Sequence, residues 1–330
     1  MRKICAVVIV AFLAAIGAKA QIFCWNVENF FDTFDDPATV DEAFTPRGEY
    51  RWSKRRFEAK RNLIAKTIIA SAECFGGRLP AIVGLCEVEN GAVLRTLAED
   101  TPLAKTRYRT IHRESPDPRG IDVALLYDPS RVKVLICGFI TISGFATREI
   151  LYAKVAMRGG ETEPDTLPGA DVLPEPDTLH IFLNHWPSKY GGAAASEIKR
   201  EAVICALENT LDSLTRADPG AGILVMGDLN DTPDAPSITA LCRRQNLKNL
   251  TRDLAGGTIR YKGKWETIDQ MLVSPLLAAN ARAEIFRPDF LLEDDRSFLG
   301  KKPRRTSIGP RYNGGASDHL PIVAILRATF

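Results

Sequence analysis

Short apolar runs closed by polar residues recur along the chain and read as buried strands. Ile22 to Val27 is the first and Ala81 to Cys86 the second. Ile121 to Tyr127 and Val132 to Cys137 flank a turn at Asp128-Pro129-Ser130. Ile150 to Met157, Leu179 to Leu183, Ile223 to Met226, Ile268 to Val273 and Pro321 to Leu326 complete the set. Helical spacing occurs in four places. Ser53 stands at the N-cap of a helix whose Phe57, Ile64 and Ile68 share one face. Its other face carries Lys54, Arg55, Lys60, Arg61 and Lys66, a pattern that predicts a solvated surface. Val88 to Ala98 reads as a short helix and Pro236 to Arg243 as another. The clearest is Ser196 to Leu214, with Ile198, Ala202, Ala206, Leu207, Leu211 and Leu214 in one stripe and Asp218-Pro219-Gly220 as its stop. Phe30 to Tyr50 is rich in Asp, Pro and Gly and reads as a loop. Arg158 to Asp177, rich in Pro, Gly and Glu without periodicity, reads as a surface hairpin excursion. Strands and helices alternate irregularly and no repeat period emerges, which fits layered sheets with helices outside.

The first 20 residues have a different character. Arg2 and Lys3 precede an apolar core from Ile4 to Ile16, too short for a membrane span, and Ala18-Lys19-Ala20 is a small-x-small cleavage site. The expected mature chain starts at Gln21 and is exported to the periplasm or the medium. Cys5 precedes the apolar core and is misplaced for lipid attachment. The remaining sequence predicts one domain, since the chemistry-bearing segments run from end to end and must converge.

The chain has 330 residues, 45% hydrophobic and 25% charged, which is ordinary globular composition. Loss of Arg2, Lys3 and Lys19 would leave 40 basic against 41 acidic side chains. A protein gripping duplex by charge alone would be more basic, so phosphate attraction must come from a local patch. Six cysteines remain: 24, 74, 86, 137, 205 and 242. Cys24, Cys86 and Cys137 lie inside apolar runs, so mostly buried free thiols are expected, with a bridge allowed. No Cys-x-x-Cys or His-x-x-x-His spacing points to zinc.

The strand ends carry the candidate chemistry. Asn26 and Glu28 are two apart on one strand and predicted to share a face. Glu87 follows an apolar run, where a carboxylate is costly unless a cation compensates it. Asn184-His185, Asp228-x-Asn230, Asp269 and Ser317-Asp318-His319 follow in order. Asp228 can orient or deprotonate a water, and the Asn230 amide can donate to phosphoryl oxygens as charge builds. Asp269 can fix the tautomer of His319 and raise its basicity. Carboxylates for a hard divalent cation with two imidazoles for proton transfer suit phosphate ester hydrolysis.

This order of motifs resembles the endonuclease/exonuclease/phosphatase family, from about Phe23 to about Leu326. The resemblance implies an α/β four-layer sandwich, two stacked mostly antiparallel sheets flanked by helices. It implies that Glu87 is the principal metal ligand for Mg²⁺ or Mn²⁺, with Asn26, Glu28 and Asp318 around it. His185, Asp228, Asn230, Asp269 and His319 are then the catalytic set, with Asn184 a substrate contact. Arg119, Arg304 and Arg305 are further candidates for holding phosphate, the latter two in a basic stretch from Lys301 to Arg311. Trp186, Tyr190 and Tyr312 are candidates for base stacking or plain packing; His112 and His180 read as structural or exposed, and Asp231 as the cap of the next turn. The implied function is an exported phosphodiesterase, foremost a nuclease acting on DNA or RNA. The alternatives are a phosphomonoesterase, a sphingomyelinase- or inositol-phosphatase-type hydrolase on phospholipid or phosphorylated small molecules, and a non-catalytic binding protein. A monomer with no stable membrane span is expected.

Overall fold

The apolar runs assemble into two six-stranded sheets packed face to face in a computed structural model, which describes residues 19–158, 178–189 and 192–327. The strands are β1 (Lys19–Phe30), β2 (Ile82–Val88), β3 (Arg109–His112), β4 (Asp122–Tyr127), β5 (Val132–Ile140), β6 (Ile150–Met157), β7 (Thr178–His185), β8 (Gly222–Asp228), β9 (Lys248–Asn249), β10 (Asp269–Val273), β11 (Arg282–Ile285) and β12 (Ile322–Arg327). One sheet has the order β11–β12–β1–β2–β4–β3, the other β5–β6–β7–β8–β10–β9. Pairing is antiparallel except between β1 and β2 and between β7 and β8. The helices α1 (Lys54–Ala70) and α2 (Gly91–Glu99) cover the first sheet, and α3 (Ala193–Ala217) and α4 (Pro236–Arg244) the second. These four layers are the expected sandwich. Three short ribbons, 259–266, 292–303 and 307–312, were not legible in the apolar pattern.

The central strands are buried on both faces, which is why they read as unbroken apolar runs rather than alternating ones. Ile22 and Cys24 of β1 face the other sheet, while Phe23, Trp25 and Val27 face the helices. The same split puts Ile181 and Leu183 of β7, Leu224 and Met226 of β8, and Met271 of β10 in the inter-sheet layer. Fully burying one such side chain is worth about 1.5–3 kcal/mol, so this layer fixes which residue of each strand points inward.

Several boundaries moved. β1 starts at Lys19, two residues before the expected mature terminus, pairing Lys19 with Arg327 and Ala20 with Leu326; residues 1–18 lie outside the described part. Val88 belongs to β2, and the next helix starts later because Asn90 caps it by accepting from the Ala92 and Val93 amides. The excursion expected over Arg158 to Asp177 lies outside the described residues apart from Arg158 itself. Ile198 is 70% exposed, so it does not join the packed stripe of α3. The described cysteines are all free thiols, with Cys24 and Cys86 buried and Cys137 exposed rather than in the core. Among the described residues no helix is long and apolar enough to cross a membrane.

Candidate active site

The inward-facing rows of the two sheets end in polar residues at one edge of the sandwich. Asn26 continues the row of Ile22 and Cys24, His185 that of Ile181 and Leu183, and Asp228 that of Leu224 and Met226. Asp269 opens β10 and pairs in register with Asp228, which itself pairs with His185. The alternation of a strand thus brings residues far apart in sequence to one spot. Glu87 reaches it by another route. The β2 register shifts between Cys86 and Val88, and Glu87 adopts a left-handed φ of 63°. A bulge of this kind re-aims a side chain.

Asp228 is the hub. Its Oδ2 accepts the Asn26 Nδ2–H at 3.0 Å and its Oδ1 the Asn230 amide at 2.9 Å. The same Oδ2 lies 3.6 Å from His185 Nε2 and 3.9 Å from His319 Nε2. Asn26 Nδ2 also donates to Glu87 Oε1 at 3.1 Å, tying the two carboxylates together across the two sheets. Glu87 Oε2 accepts the Asn29 amide at 2.8 Å, and its Oε1 is 3.7 Å from His185 Nε2. His319 and Asp269 form the expected dyad, Nδ1 to Oδ2 at 2.7 Å. Ser317 Oγ accepts the His319 amide, and Trp25 donates its indole N–H to the His319 carbonyl, so the imidazole is fixed from both sides.

The charge states follow from these surroundings. Burial pushes the Asp228 carboxyl up to about 7, with Asp269 adding to the shift and His319 opposing it. His319 moves up from the usual imidazole value, because Asp269, Asp228 and Asp318 outweigh the burial that opposes its charge. His185 moves the other way; burial and the nearby Arg148 and Arg119 hold it neutral. The site therefore offers a cationic imidazole, a neutral one, and between them a carboxylate poised near neutral pH. Pairs of groups pushed apart in this way mark acid and base roles.

The sequence of the chain from residue 21 to 328 matches the sequence model described as "Endonuclease/Exonuclease/phosphatase family". The chain belongs to that family. Members of the family are metal-dependent phosphoric ester hydrolases, and this chain is such an enzyme. Comparison with curated proteins gave no match. Among solved structures, an endonuclease/exonuclease/phosphatase family protein from Bacteroides thetaiotaomicron matches with a TM-score of 0.59 at 14% identity, covering 94% of this chain and 96% of that one. The human Nocturnin catalytic domain with bound sulfate matches with a TM-score of 0.55 at 16% identity, covering 94% and 95%. The Bacteroides thetaiotaomicron mannosyl-6-phosphatase matches with a TM-score of 0.56 at 13% identity, covering 94% and 100%. At these identities the likeness carries the fold.

The donor set fits a hard divalent cation of the kind this family uses. Glu87 and Asp318 are the carboxylates that reach solvent, at 17% and 37% side-chain exposure, beside the buried Asp228 and Asp269. Glu87, Asp228, Asp269 and Asp318 face the His319 imidazolium and Arg305, so the carboxylates outnumber the cations, and oxygen ligation of a divalent cation would relieve the excess. The buried trio Asp228, Asp269 and His319 also has ligand atoms within 4.8 Å of one another. The 2.7 Å dyad inside it uses the Nδ1 of His319, so a proton-handling role suits that trio better.

The structure redistributes other expected residues. Glu28 does not share the strand face of Asn26. Its φ of 48° breaks the strand alternation, and its carboxylate accepts from Arg305 Nε at 3.1 Å and the Thr306 amide at 2.7 Å. Asn26 turns its Nδ2 to Glu87 and Asp228, while its Oδ1 accepts the Glu28 amide at 2.9 Å. Asn184 is fully buried, donating to the Phe182 carbonyl and accepting from the Trp186 indole, so it shapes the strand end instead of meeting substrate. Trp186 is likewise buried, Tyr312 packs on Trp52 and Arg56, and Tyr190 lies outside the described residues. The basic stretch is not a free rim: Lys301 pairs with Asp294, Lys302 with Glu293, and Arg304 donates to the Asn313 carbonyl. Arg305 does reach the site, donating to Asp318 Oδ2 at 3.0 Å. Asn230 is in place at a φ of 50°, with one amide N–H held by the Trp186 carbonyl at 2.9 Å. Asp231 accepts the Thr232 amide as expected and also binds Lys189 and Ser237. His112 pairs with Asp122 at 3.0 Å, which also accepts the Ser115 amide, and His180 pairs with Tyr152; both are structural.

Two residues escaped the sequence reading. Lys60, placed by its helix pattern on a solvated face, is 1% exposed and donates to the carbonyls of Glu28 and Ala316 and to Thr306 Oγ1. Arg148 is 5% exposed and donates to Asp117 and to the Trp186 carbonyl. Gly227 shows how tightly this edge is built. At a φ of 132° a Cβ there would lie 1.9 Å from the Asn184 carbonyl oxygen. Gly227→Ala is expected to destabilise the fold by about 3–5 kcal/mol, from left-handed strain and overpacking together. The urea midpoint measures it, and an unchanged midpoint would contradict this close approach of β7 and β8.

Proposed function

We propose that the protein is an exported nuclease that hydrolyses DNA or RNA phosphodiesters with Mg²⁺ or Mn²⁺. The observation that carries this reading is Asp228, held by Asn26 and Asn230 within 4 Å of two imidazoles of opposite charge preference. Glu87 and Asp318 would hold the cation, which supplies charge neutralisation at the phosphate. Asp228 takes the proton of the attacking water; a carboxylate near pH 7 is suited to that task. His319, charged and braced by Asp269, holds a phosphoryl oxygen through its Nε2–H. Asn230 has one amide hydrogen left for a second oxygen. His185, neutral and 3.6 Å from Asp228, can take up the proton that Asp228 removes from the water and hand it to the leaving oxygen, which returns both groups to their starting states. A nuclease is favoured over a monoesterase because Arg305 flanks Asp318 while Arg148 and Arg119 lie near His185. Cations at both places suit a substrate with negative charge on either side of the scissile ester. Export rests on the amino-terminal segment. A panel of plasmid DNA, RNA, sphingomyelin and inositol phosphates tests the proposal. Cleavage of DNA or RNA is expected; turnover of the other substrates alone would overturn it.

A further inference from the structure

A cleft of about 380 Å³ opens beside the catalytic centre, lined among others by Asp117, Arg119, Phe145, Arg148, Ser188 and Lys199. Its volume falls in the range of small-ligand sites. Its charged lining is three cations against one carboxylate. Asp117 accepts Arg148 Nη1 at 2.6 Å and Arg119 Nε at 3.2 Å, so the carboxylate braces the two guanidiniums and leaves positive charge over. Lys199 Nζ lies over the Phe145 ring at 5.5 Å. Arg148 is buried, yet among the described residues its Nε–H has no hydrogen-bond partner. A buried guanidinium donor left open is costly unless an acceptor arrives. The cleft is also wired to the reacting groups: Arg148 Nη2 and Asn230 Nδ2 donate to the same Trp186 carbonyl, at 2.8 and 2.9 Å.

We propose that this cleft is a subsite for a second phosphate of the substrate, one carried by the residue next to the scissile ester. The ligand chemistry is a phosphate with an apolar ring behind it. Arg119, Arg148 and Lys199 meet its oxygens, while Phe145 and the adjacent proline and alanine side chains contact the attached ring. The inference rests on the nuclease reading and narrows it to substrates with a neighbouring or terminal phosphate.

The test compares three dithymidylates: unphosphorylated, 5′-phosphorylated and 3′-phosphorylated. One phosphorylated form is expected to show a kcat/KM at least about tenfold above the unphosphorylated one, the size of one good charged contact. Lys199→Ala and Arg119→Gln should each shrink that ratio several-fold. Equal rates for all three substrates, or a ratio that both variants keep, would overturn the subsite. If none is cleaved, the nuclease reading is judged on the plasmid DNA and RNA panel, and the cleft by titrating inorganic pyrophosphate into the protein in EDTA. Binding that Lys199→Ala weakens supports the subsite; no binding, or binding indifferent to Lys199, overturns it.

Discussion

Asp228→Asn is expected to lower kcat by about 10²–10⁴-fold, with the fold intact. The amide keeps the shape of the hub but cannot accept the water's proton. His319→Ala should cost a similar factor, since it removes the charge that faces the phosphoryl oxygens. The two side chains lie 3.9 Å apart and act in one step, so the double variant should be little worse than either single one. The pH profile adds a second check. The base works unprotonated, and its carboxyl sits near 7, so the rate should rise with an acid limb at or below about pH 7. It should fall again only where the raised His319 loses its proton. Asp228→Asn should remove the acid limb. Multiplicative losses in the double variant, or an acid limb that survives Asp228→Asn, would contradict the assigned roles.

Lys60→Met should destabilise the protein by about 1–3 kcal/mol, the cost of taking the charged donor from buried acceptors. Burial brings the ammonium down to about 8, and Glu28, Glu87 and Asp318 oppose that shift. Its three acceptors come from the end of β1, from Thr306 and from Ala316. Those segments carry Glu28 with its Arg305 partner, and Ser317 through His319. Methionine fills the volume but removes the ammonium from the Glu28 carbonyl and leaves the Ala316 carbonyl with Thr306 Oγ1 as its side-chain donor. The urea midpoint should drop, and kcat should fall at temperatures where the variant is still folded. A variant with wild-type midpoint and kcat would show that Lys60 does not organise these loops.

Why some of this was legible in the sequence is physical. Strands buried on both faces write themselves as apolar runs, and the polar residue closing each run marks where the core ends. That rule places Asn26, Glu87, His185 and Asp228 at one edge; Asp269 instead opens its strand, in register with Asp228. It fails where the backbone leaves the regular strand. Glu28 follows Asn26 by two and would share its face, but its left-handed φ turns it to Arg305. Periodicity also cannot tell a solvated lysine from one covered by loops that arrive some 250 positions later, as happens at Lys60. Arg148 stood in no motif. The Lys301–Arg305 stretch looked like a free basic rim because its acidic partners Asp294 and Glu293 lie on the opposite strand of a ribbon too short to show a pattern.

The most direct test of the central claim is metal-dependent cleavage of a labelled oligonucleotide. Wild type should show no cleavage in excess EDTA and recover it on titration with Mg²⁺ or Mn²⁺. Glu87→Gln should fold normally but need a much higher metal concentration to reach half its maximal rate. Full cleavage by wild type in EDTA, or a Glu87→Gln variant with an unshifted metal titration, would contradict the account.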